Sequence, residues 1–374
     1  MSVYLDYNAS TPIDPRVAEV MNSAMAGAYG NPSSLHWAGS PARELVENGR
    51  RQVADFLGCR AEEIVFTSGG SEANNFALKG RYFAAGHKSP HIITTRIEHP
   101  AIVAPCRFLE RLGTRITWLP VDGTGRIDPD DLARAISADT ILISVMHANN
   151  ETGTIQPIEA CSRIARKHGI PFHTDAAQSA GKIPTRVDEL GVDLLTIAGH
   201  KIYAPKGIGA LYIRNGLQLE PLIHGAGHEG GRRAGTESAL LAGALGKACE
   251  LAQDLAQMEN VRELRDQFWR YLQERIGDRV VLNGHPTLRL PNTLNVAFPG
   301  HLGAEILTRL PGVAASTGSA CHAGRIELSP VLEAMGVAPE IGMGAVRFSL
   351  GRFTTAAEIG AAMARLAEIL PAEA

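Results

Sequence analysis

The stretch TILISVMHANNETGTIQPIEACSRIARKHGIPFHTD, residues 140–175, decides the fold class of this chain. Residues 140–146 and 171–174 are candidate strands, and residues 158–168 between them have the pattern of a helix. Strands that are buried on both faces of a parallel sheet read as continuous Ile, Val and Leu runs rather than as alternating ones. This stretch therefore predicts two strands of a mostly parallel sheet with a helix between them.

The same pattern continues on both sides of this stretch, from about residue 60 to residue 215. The other candidate strands are residues 63–67, 91–95, 115–119, 194–198 and 209–213. Another helix-like segment covers residues 72–84. Apolar strands that alternate with helices predict an α/β fold with a mostly parallel central sheet covered on both faces.

The pattern changes after Thr236. Residues 237–276 predict a long helical region, and shorter strands and helices follow it. We therefore expect a large domain over residues 14–254. Residues 1–13 and 255–374 are expected to form a smaller α+β domain.

Composition and charge exclude several classes of function. The 374 residues include 36 Lys and Arg and 39 Asp and Glu. This lack of excess positive charge argues against nucleic acid as a partner. No stretch approaches about 18 uninterrupted apolar residues, so we expect no membrane span. The start of the chain has no signal-peptide pattern, and the five cysteines are widely spaced without a metal-binding motif. We expect a cytoplasmic protein without a metal site.

Two ionisable residues follow candidate strands. Lys201 in GHK comes after residues 194–198, and Asp175 ends residues 171–174. Ligands of α/β proteins bind at the carboxyl ends of strands, where burial lowers the pKa of a lysine and makes it an amine for a Schiff base. A carboxylate at the same edge suits the protonated ring nitrogen of pyridoxal phosphate. The alternatives are a solvated lysine and an aspartate in a helix cap or ion pair.

Further polar groups follow other strands. TSGGSEANN, residues 67–75, places a glycine turn before a helix, an arrangement that can hold phosphate or be merely a turn. His99 follows the next strand, where an imidazole can stack on a flat ring or be structural. The amides of Asn149 and Asn150 could reach a phenolic oxygen, as could Gln178 three residues after Asp175. These side chains are predicted to converge on one edge of the sheet.

Cys321 lies in ASTGSACHAG, residues 315–324, whose small residues suit an exposed loop. A thiol beside His322 on an accessible loop can hold more thiolate than a buried thiol, and we hypothesise that His322 raises this fraction or protonates the departing group. The alternative is a buried, inert Cys321. The other four cysteines fall in helical or nearly helical segments, where packing is the default.

Along nearly its whole length the chain resembles the cysteine desulfurases of the pyridoxal-phosphate-dependent class V aminotransferase family. The matching segments are YLDYNASTPIDPRV (4–17), GNPSSLHWAG (30–39), TSGGSEANN (67–75), IEHPAI (97–102), MHANNETGTIQPI (146–158), HTDAAQS (173–179), GHKIYAPKGIGALYIR (199–214), GAGHEGGRRAGTESA (225–239), STGSACHAG (316–324) and VRFSLGRFTT (346–355). The resemblance implies fold type I of the pyridoxal phosphate enzymes.

The resemblance also implies roles around the cofactor ring. Lys201 matches the lysine that binds pyridoxal 5'-phosphate covalently and then moves the substrate's α-proton. Asp175 matches the partner of the ring nitrogen, and His99 the stacking acid/base. Asn150 and Gln178 match residues around the ring hydroxyl, and Asn150 is also placed near the substrate.

Other matches concern the phosphate and the substrate. Gly70, Ser71 and His200 align with the phosphate cradle. Thr236 matches a phosphate contact that comes from the other subunit, so the resemblance implies a homodimer. Arg347 resembles the arginine that binds the substrate carboxylate, for which a planar guanidinium offers two hydrogen bonds.

The implied reaction converts L-cysteine to L-alanine. Cys321 matches the nucleophile that takes the sulfur as a persulfide and passes it to an acceptor, as in iron–sulfur cluster assembly. The acceptor protein is not identified by the sequence. Neither nucleic acid nor a membrane is expected as a partner.

Three features depart from the pattern of many desulfurases. Ala198 stands where a serine often contacts the phosphate, and His322 follows the cysteine in place of Thr or Ser. The sequence also stops without the longer tail that is used to hold a scaffold protein. The first two features resemble selenocysteine lyases, which release selenide, so that activity is the alternative. A pyridoxal phosphate aminotransferase or epimerase has no use for the STGSAC loop, and the intact Lys201 and Cys321 argue against an inactive binding protein.

Overall fold

The computed structural model describes residues 2–317 and 327–370, and within these ranges the chain forms twelve strands and fourteen α-helices. The strands are β1 Val3–Tyr4, β2 Ile64–Thr67, β3 His91–Thr95, β4 Arg115–Leu119, β5 Thr140–Ser144, β6 Phe172–Asp175, β7 Leu194–Ala198, β8 Gly209–Ile213, β9 Val281–Leu282, β10 Thr293–Ala297, β11 Val313–Ala314 and β12 Ala345–Ser349. The helices are α1 Pro15–Gly27, α2 Ser40–Leu57, α3 Gly70–Asn75, α4 Arg81–Ala85, α5 Pro100–Arg111, α6 Pro129–Ala135, α7 Ile158–Lys167, α8 Val187–Leu190, α9 Ala239–Ala252, α10 Gln257–Ile276, α11 Gly303–Thr308, α12 Pro330–Ala334, α13 Pro339–Gly342 and α14 Ala356–Ile369.

Seven strands form the central sheet in the order β2-β8-β7-β6-β5-β3-β4. From β7 to β4 all neighbouring strands are parallel, and only β8 runs antiparallel to both of its neighbours. Most of these strands are buried along their whole length, with helices on the faces of the sheet. The predicted α/β fold with a mostly parallel sheet is confirmed.

Directions within the sheet bring the functional segments to one edge. Strands β3, β5, β6 and β7 are parallel, so their carboxyl ends, and the polar residues that follow them, meet at the same edge. Strand β2 runs in the same direction as β7 because β8 between them is reversed. The glycine turn after β2 therefore joins the same edge.

A separate apolar core lies beneath the remaining strands. Strands β9, β10 and β12 form an antiparallel sheet, and β1 pairs in parallel with β11. Helices α10 and α14 pack on this region, with Phe268 and Leu366 fully buried. Val3 and Leu5 from the start of the chain belong to the same core. The second core is thus formed by the start of the chain together with the segments that follow α9.

The predicted helical region over residues 237–276 is divided into two helices. Helix α9 ends at Ala252 and α10 begins at Gln257, and between them Asp254 Oδ1 accepts a hydrogen bond from the Ala256 amide. Helix α9 is buried in the core of the central sheet, whereas α10 packs in the second core. The division lets the chain pass from one core to the other.

Helices long and apolar enough to cross a bilayer are not found in residues 2–317 and 327–370.

Candidate active site

A cavity of about 420 Å³ opens at the carboxyl edge of the central sheet. Eight of the residues that the sequence predicts for the site line it together. These are Gly70, Ser71, His99, Asn150, Asp175, Gln178, His200 and Lys201. Each lies at the end of a strand of the sheet or in the segment that follows it, so the predicted convergence arises from the parallel topology.

Lys201 lies at the end of β7 in a short 3₁₀ turn, Gly199–Lys201. Its Nζ donates to the carbonyl oxygens of Asn8 and Ala9, the latter at 2.9 Å. Burial and the positive charge of Arg347 lower the pKa of this amine to about 8, although Asp175 opposes the shift. Part of the Lys201 population is therefore the free base near neutral pH.

Asp175 ends β6 and is nearly buried. Asn74 Nδ2 donates to its Oδ2 at 2.6 Å, and the Ala177 amide donates to its Oδ1 at 2.9 Å. These donors fix the carboxylate at one side of the cavity, on the adjacent strand to Lys201. An anion in this position is suited to a cationic ring nitrogen.

His99 is the N-cap residue of α5, and its Nδ1 accepts a hydrogen bond from the Ala101 amide at 3.1 Å. Because that nitrogen accepts, the proton of the neutral imidazole is on Nε2. Burial lowers the pKa of His99, with a smaller opposing effect of Asp175. The ring therefore lines the cavity as a neutral donor at physiological pH.

The glycine turn at residues 69–70 forms a cradle at the start of a helical run that extends from α3 to α4. Gly69 has φ +147°, a conformation that favours glycine. A Cβ at Gly209 of β8 would lie 2.8 Å from the Gly69 Cα, so the two backbones can approach only because residue 209 is a glycine. The first turn of the run has amide groups without intrahelical acceptors, which are suited to phosphate.

The acidic residue beside this cradle is neutralised. Glu72 pairs with Arg233 through distances of 2.8 Å to Nε and 3.2 Å to Nη2, and it also accepts from the Ser68 amide at 2.7 Å. These contacts hold the pKa of Glu72 below its usual value, although burial opposes them. Without Arg233, a carboxylate would face any phosphate in the cradle.

The two asparagines considered for the ring oxygen are used differently. Asn149 is fully buried, and its side chain binds the Glu151 and Thr152 amides and the Ile97 carbonyl. These contacts use the side-chain amide of Asn149 to shape the turn. The prediction that Asn149 reaches a ligand is therefore wrong. Asn150 lines the cavity.

Arg347 of β12 adjoins this group, although it is not among the residues that line the cavity. Its Nη1 donates to the Asn150 carbonyl and its Nη2 to Asp6 Oδ1, both at 2.9 Å. Its Nε is buried and has no hydrogen-bond partner among the described residues. The guanidinium has five N–H groups and these two contacts use two of them, so donors remain for an oxygen anion that reaches it.

The remaining predicted residues are Thr236, Cys321 and His322. Thr236 is exposed and does not line it. Cys321 and His322 lie outside the described residues. Ser316, five residues before Cys321, donates its hydroxyl to Asp6 Oδ1 at 2.9 Å and forms a backbone bridge with Arg347. The segment that ends at residue 317 therefore lies beside the guanidinium.

Asn8 is a central residue of the site that sequence reasoning missed. Its carbonyl accepts from Lys201 and Gln178, and its side-chain amide donates to the Asn150 carbonyl at 3.2 Å and to Thr293 Oγ1 at 2.9 Å. Asn74 and Asp6 were missed in the same way. All three lie within motifs quoted above, so the signal was present, but their partners are distant in sequence.

A comparison with known protein families matches residues 3–361 to the aminotransferase class-V family. The chain belongs to the class V aminotransferase family. Its fold type and the use of pyridoxal 5'-phosphate, both implied by the resemblance, are confirmed. The cavity of this class V aminotransferase fits that group, because it presents an amine, a carboxylate and a glycine cradle at the ends of β7, β6 and β2.

Several relatives of this class V aminotransferase are cysteine desulfurases. "Cysteine desulfurase IscS" of Dictyoglomus turgidum is 51% identical over 357 residues, which are 94% of this chain and 90% of the relative. The solved structure of a "NifS-like protein" has a TM-score of 0.93 at 37% identity and 99% coverage of both chains. The structure "SspA in complex with cysteine" has a TM-score of 0.85 at 38% identity, covering 95% of this chain and 100% of that one.

Proposed function

We propose that this protein is a cysteine desulfurase that converts L-cysteine to L-alanine and transfers the sulfur to Cys321. The observation that carries the proposal is the cavity that joins Lys201, Asp175 and His99 in a chain 51% identical to a cysteine desulfurase. The relatives do not favour the selenocysteine lyase alternative.

Bound pyridoxal phosphate would supply an aldehyde for the amine and an electron-withdrawing ring. Lys201 would hold that aldehyde and, when displaced, move the α-proton at Nζ, which its lowered pKa of about 8 permits. The carbonyls of Asn8 and Ala9 accept from Nζ and would hold the displaced amine in the cavity. Asp175 would hold the ring nitrogen, and His99 would offer its Nε2 proton over the ring.

The substrate carboxylate would bind Arg347. The Asp6 carboxylate and the Asn150 carbonyl each accept from one of its terminal nitrogens, and the remaining N–H groups leave donors for the ligand. Gly70, Ser71 and His200 would surround the phosphate. Burial, together with the charge of Lys201, lowers the pKa of His200 to about 4, so this histidine acts as a neutral hydrogen-bonding group.

Cys321 would receive the sulfur. Its thiolate would bond to the substrate sulfur while the substrate's Cβ–S bond breaks and leaves its electron pair on the carbon fragment. A persulfide then remains on the enzyme, and the carbon fragment takes up a proton to become alanine. Burial raises the thiol pKa of Cys59 and Cys161 to about 12 and raises that of Cys106 and Cys249 as well. Those four thiols are therefore poor nucleophiles at neutral pH, which supports the assignment to Cys321.

Ser316 also supports this assignment. Five residues of chain, which span at most about 17 Å when extended, connect Cys321 to the contact between Ser316 and Asp6. The substrate carboxylate is expected beside the same Asp6–Arg347 pair. A thiol on this tether can reach a substrate bound there.

We further propose a homodimer in which Thr236 completes the partner's phosphate site. The exposed position of Thr236, away from its own cavity, supports this role. Thr236→Ala and Lys201→Ala should each impair activity alone. Mixed dimers of the two variants should recover it, because one of their two sites keeps both residues. No recovery in mixed dimers would contradict the contribution from the partner.

Two further expectations from the sequence stay predictions: the domain division at residues 254 and 255, and the cytoplasmic location. The two separate cores support the first, since Met258 and the segment after it pack with Val3 and Leu5. The sulfur acceptor stays open between a protein, such as a cluster scaffold or a tRNA-modifying enzyme, and a plain reductant.

The decisive experiment compares alanine production from L-cysteine and L-selenocysteine by the wild type and by Cys321→Ala. Activity on cysteine should vanish in Cys321→Ala, whereas the matched variant Cys59→Ala should keep it. Activity confined to selenocysteine would support the lyase instead. No alanine from either substrate would overturn the proposed reaction.

A further inference from the structure

Lys182 is a buried cation that the proposed reaction does not use. It follows the turn after β6 and is 8% exposed. Its Nζ donates to two atoms of Gln178, the backbone carbonyl at 2.7 Å and the side-chain Oε1 at 3.3 Å. The chain therefore places a second amine immediately behind the residue expected at the ring hydroxyl.

The Gln178 amide is held at both of its ends. Its Nε2 donates to the Asn8 carbonyl at 2.9 Å, while its Oε1 accepts from Lys182. A lysine ammonium only donates and a backbone carbonyl only accepts. A flipped amide would place its NH₂ against the ammonium and its oxygen against the carbonyl, so only one orientation satisfies all the groups.

One donor of this amide remains available. Since a side-chain amide has two N–H groups and Asn8 takes one, the second is left for a ligand in the cavity that Gln178 lines. A phenolic oxygen needs a donor, whereas the flipped amide would present its oxygen there. Lys182 thus determines whether the amide attracts or repels that oxygen.

We propose that Lys182 is a positioning residue that fixes the Gln178 amide so that its free N–H serves the ring oxygen of the cofactor. This inference rests on the proposed function. Gln178 would touch the cofactor, and Lys182 would act through it. A purely structural role is the alternative, in which Lys182 only binds the Gln178 backbone carbonyl and stabilises the turn.

The charges around Lys182 are consistent with a role that depends on its hydrogen bonds. Burial lowers the pKa of Lys182 to about 7, and the positive charges of Lys201 and Arg347 add to this effect. The amine retains hydrogens for both contacts in either protonation state. Only the ammonium, however, is unable to accept from a flipped amide, so its control over the orientation weakens above pH 7.

The test is a double-mutant cycle with Lys182→Met, Gln178→Ala and the double variant. Lys182→Met keeps an unbranched side chain and removes the donors. The readouts are the dissociation constant of pyridoxal 5'-phosphate for the apo-protein, by equilibrium dialysis, and the pH midpoint of the bound cofactor's visible absorption. Lys247→Met is the matched control, since Lys247 lies on α9 and pairs with Glu250 away from the cavity.

Lys182→Met should weaken cofactor binding by about three- to tenfold, the range of one hydrogen bond, and should move the absorption midpoint. In the Gln178→Ala background the same substitution should change the affinity by less than about twofold and leave the midpoint in place. Lys247→Met should change neither quantity.

Equal effects in both backgrounds, or no effect in either, would overturn the inference while leaving the proposed function intact. If Lys182→Met does not fold, the test uses Lys182→Arg instead. Arginine keeps a cation that donates hydrogen bonds and cannot accept them. Affinity within about threefold of the wild type and an unmoved midpoint support the inference, and a moved midpoint contradicts it. A wild-type chain that binds no pyridoxal phosphate would overturn both proposals.

Discussion

The amine of Lys201 lies among groups that act on its charge in opposite directions. Burial and Arg347 disfavour the ammonium, while Asp175 favours it, and the first two effects prevail. Because the chemistry needs a free amine both to bind an aldehyde and to accept a proton, this balance sets the pH at which the site becomes competent.

Cofactor uptake by the apo-protein should therefore become faster as the pH rises, with a midpoint of about 8. The sign follows from the lowered pKa, since only the deprotonated amine attacks an aldehyde. Stopped-flow absorbance measured from pH 6 to pH 10 checks this, with Lys201→Ala as the control without covalent uptake. A midpoint near that of an exposed lysine, about 10.4, would contradict the environment described here.

Ala198 marks a hydroxyl that this cradle lacks. A Cβ added to Gly70 would lie 3.3 Å from the Ala198 Cβ, and Ala198 lines the cavity at the end of β7. Ala198→Ser should tighten pyridoxal phosphate binding by about two- to tenfold, the effect of one added hydrogen bond. Equilibrium dialysis would measure it, and Ala198→Val, which adds volume without a donor, should weaken binding. Equal affinities of the wild type and Ala198→Ser would show that the hydroxyl finds no partner.

Residues such as Lys201, Asp175 and His99 could be predicted because each lies at the end of a predicted strand or within four residues after it. Asn8 could not be predicted, because its partners Thr293 and Ser349 lie 285 and 341 residues away. A single sequence does not reveal which distant polar groups meet. Asn149 was misassigned for a local reason, since its side chain binds the amides of its own turn.

At the scale of elements, the contact between β8 and the glycine turn decides the shape of the phosphate cradle. A Cβ at Gly209 would lie 2.7 Å from the Ile197 carbonyl oxygen and 2.8 Å from the Gly69 carbonyl carbon, both backbone atoms. Neither neighbour can rotate away as a side chain could. The sheet must therefore shift to accept any larger residue there.

Gly209→Ala should lower the free energy of unfolding by about 1–3 kcal/mol through overpacking and should also weaken cofactor binding. The matched control is Gly360→Ala in α14, where an added Cβ would meet nothing within 4 Å. That variant should be stabilised by up to about 1 kcal/mol, because alanine favours the helix. Urea unfolding measures both, and equal stabilities would contradict the close approach of β8.

The strands were predictable because buried parallel strands are continuous apolar runs, and the predicted bounds of β3, β4, β7 and β8 match those observed. The break between α9 and α10 was not predictable from local signals. Residues 253–256 contain neither glycine nor proline. The break arises from packing, since the two helices belong to different cores.

At the scale of the whole molecule, a buried acid makes stability depend on pH. Glu98 accepts hydrogen bonds from the Met146 amide at 2.8 Å and from Thr95 Oγ1 at 3.0 Å, while its Oε2 is buried without a partner among the described residues. Burial raises the pKa of Glu98 to about 8. The folded protein therefore favours the neutral acid.

Glu98→Gln should gain stability relative to the wild type as the pH rises from about 4.5 to about 8. The unfolded wild type releases the Glu98 proton over this window while the folded state retains it, so wild-type stability falls by up to about 1.4 kcal/mol per pH unit. Urea unfolding at pH 5, 6, 7 and 8 would measure the difference, with the exposed Glu340→Gln as control. A difference that does not change with pH would contradict the buried neutral acid.

The pairing of the first strand with the last part of the chain has a consequence for synthesis. Val3 pairs with Val313, and the Asn8 amide binds the Ser349 hydroxyl 341 residues later. At about 5–20 residues per second, a ribosome needs roughly 17–70 s to make the intervening chain. Late in this interval Lys201 and Asp175 have already been synthesised, but Arg347 and Ser349 have not. The contact between Asn8 and Ser349 has therefore not yet formed. The chain therefore cannot release sulfur while it is still being translated, because residues near its start, such as Asn8, need contacts with residues that are translated late, such as Ser349.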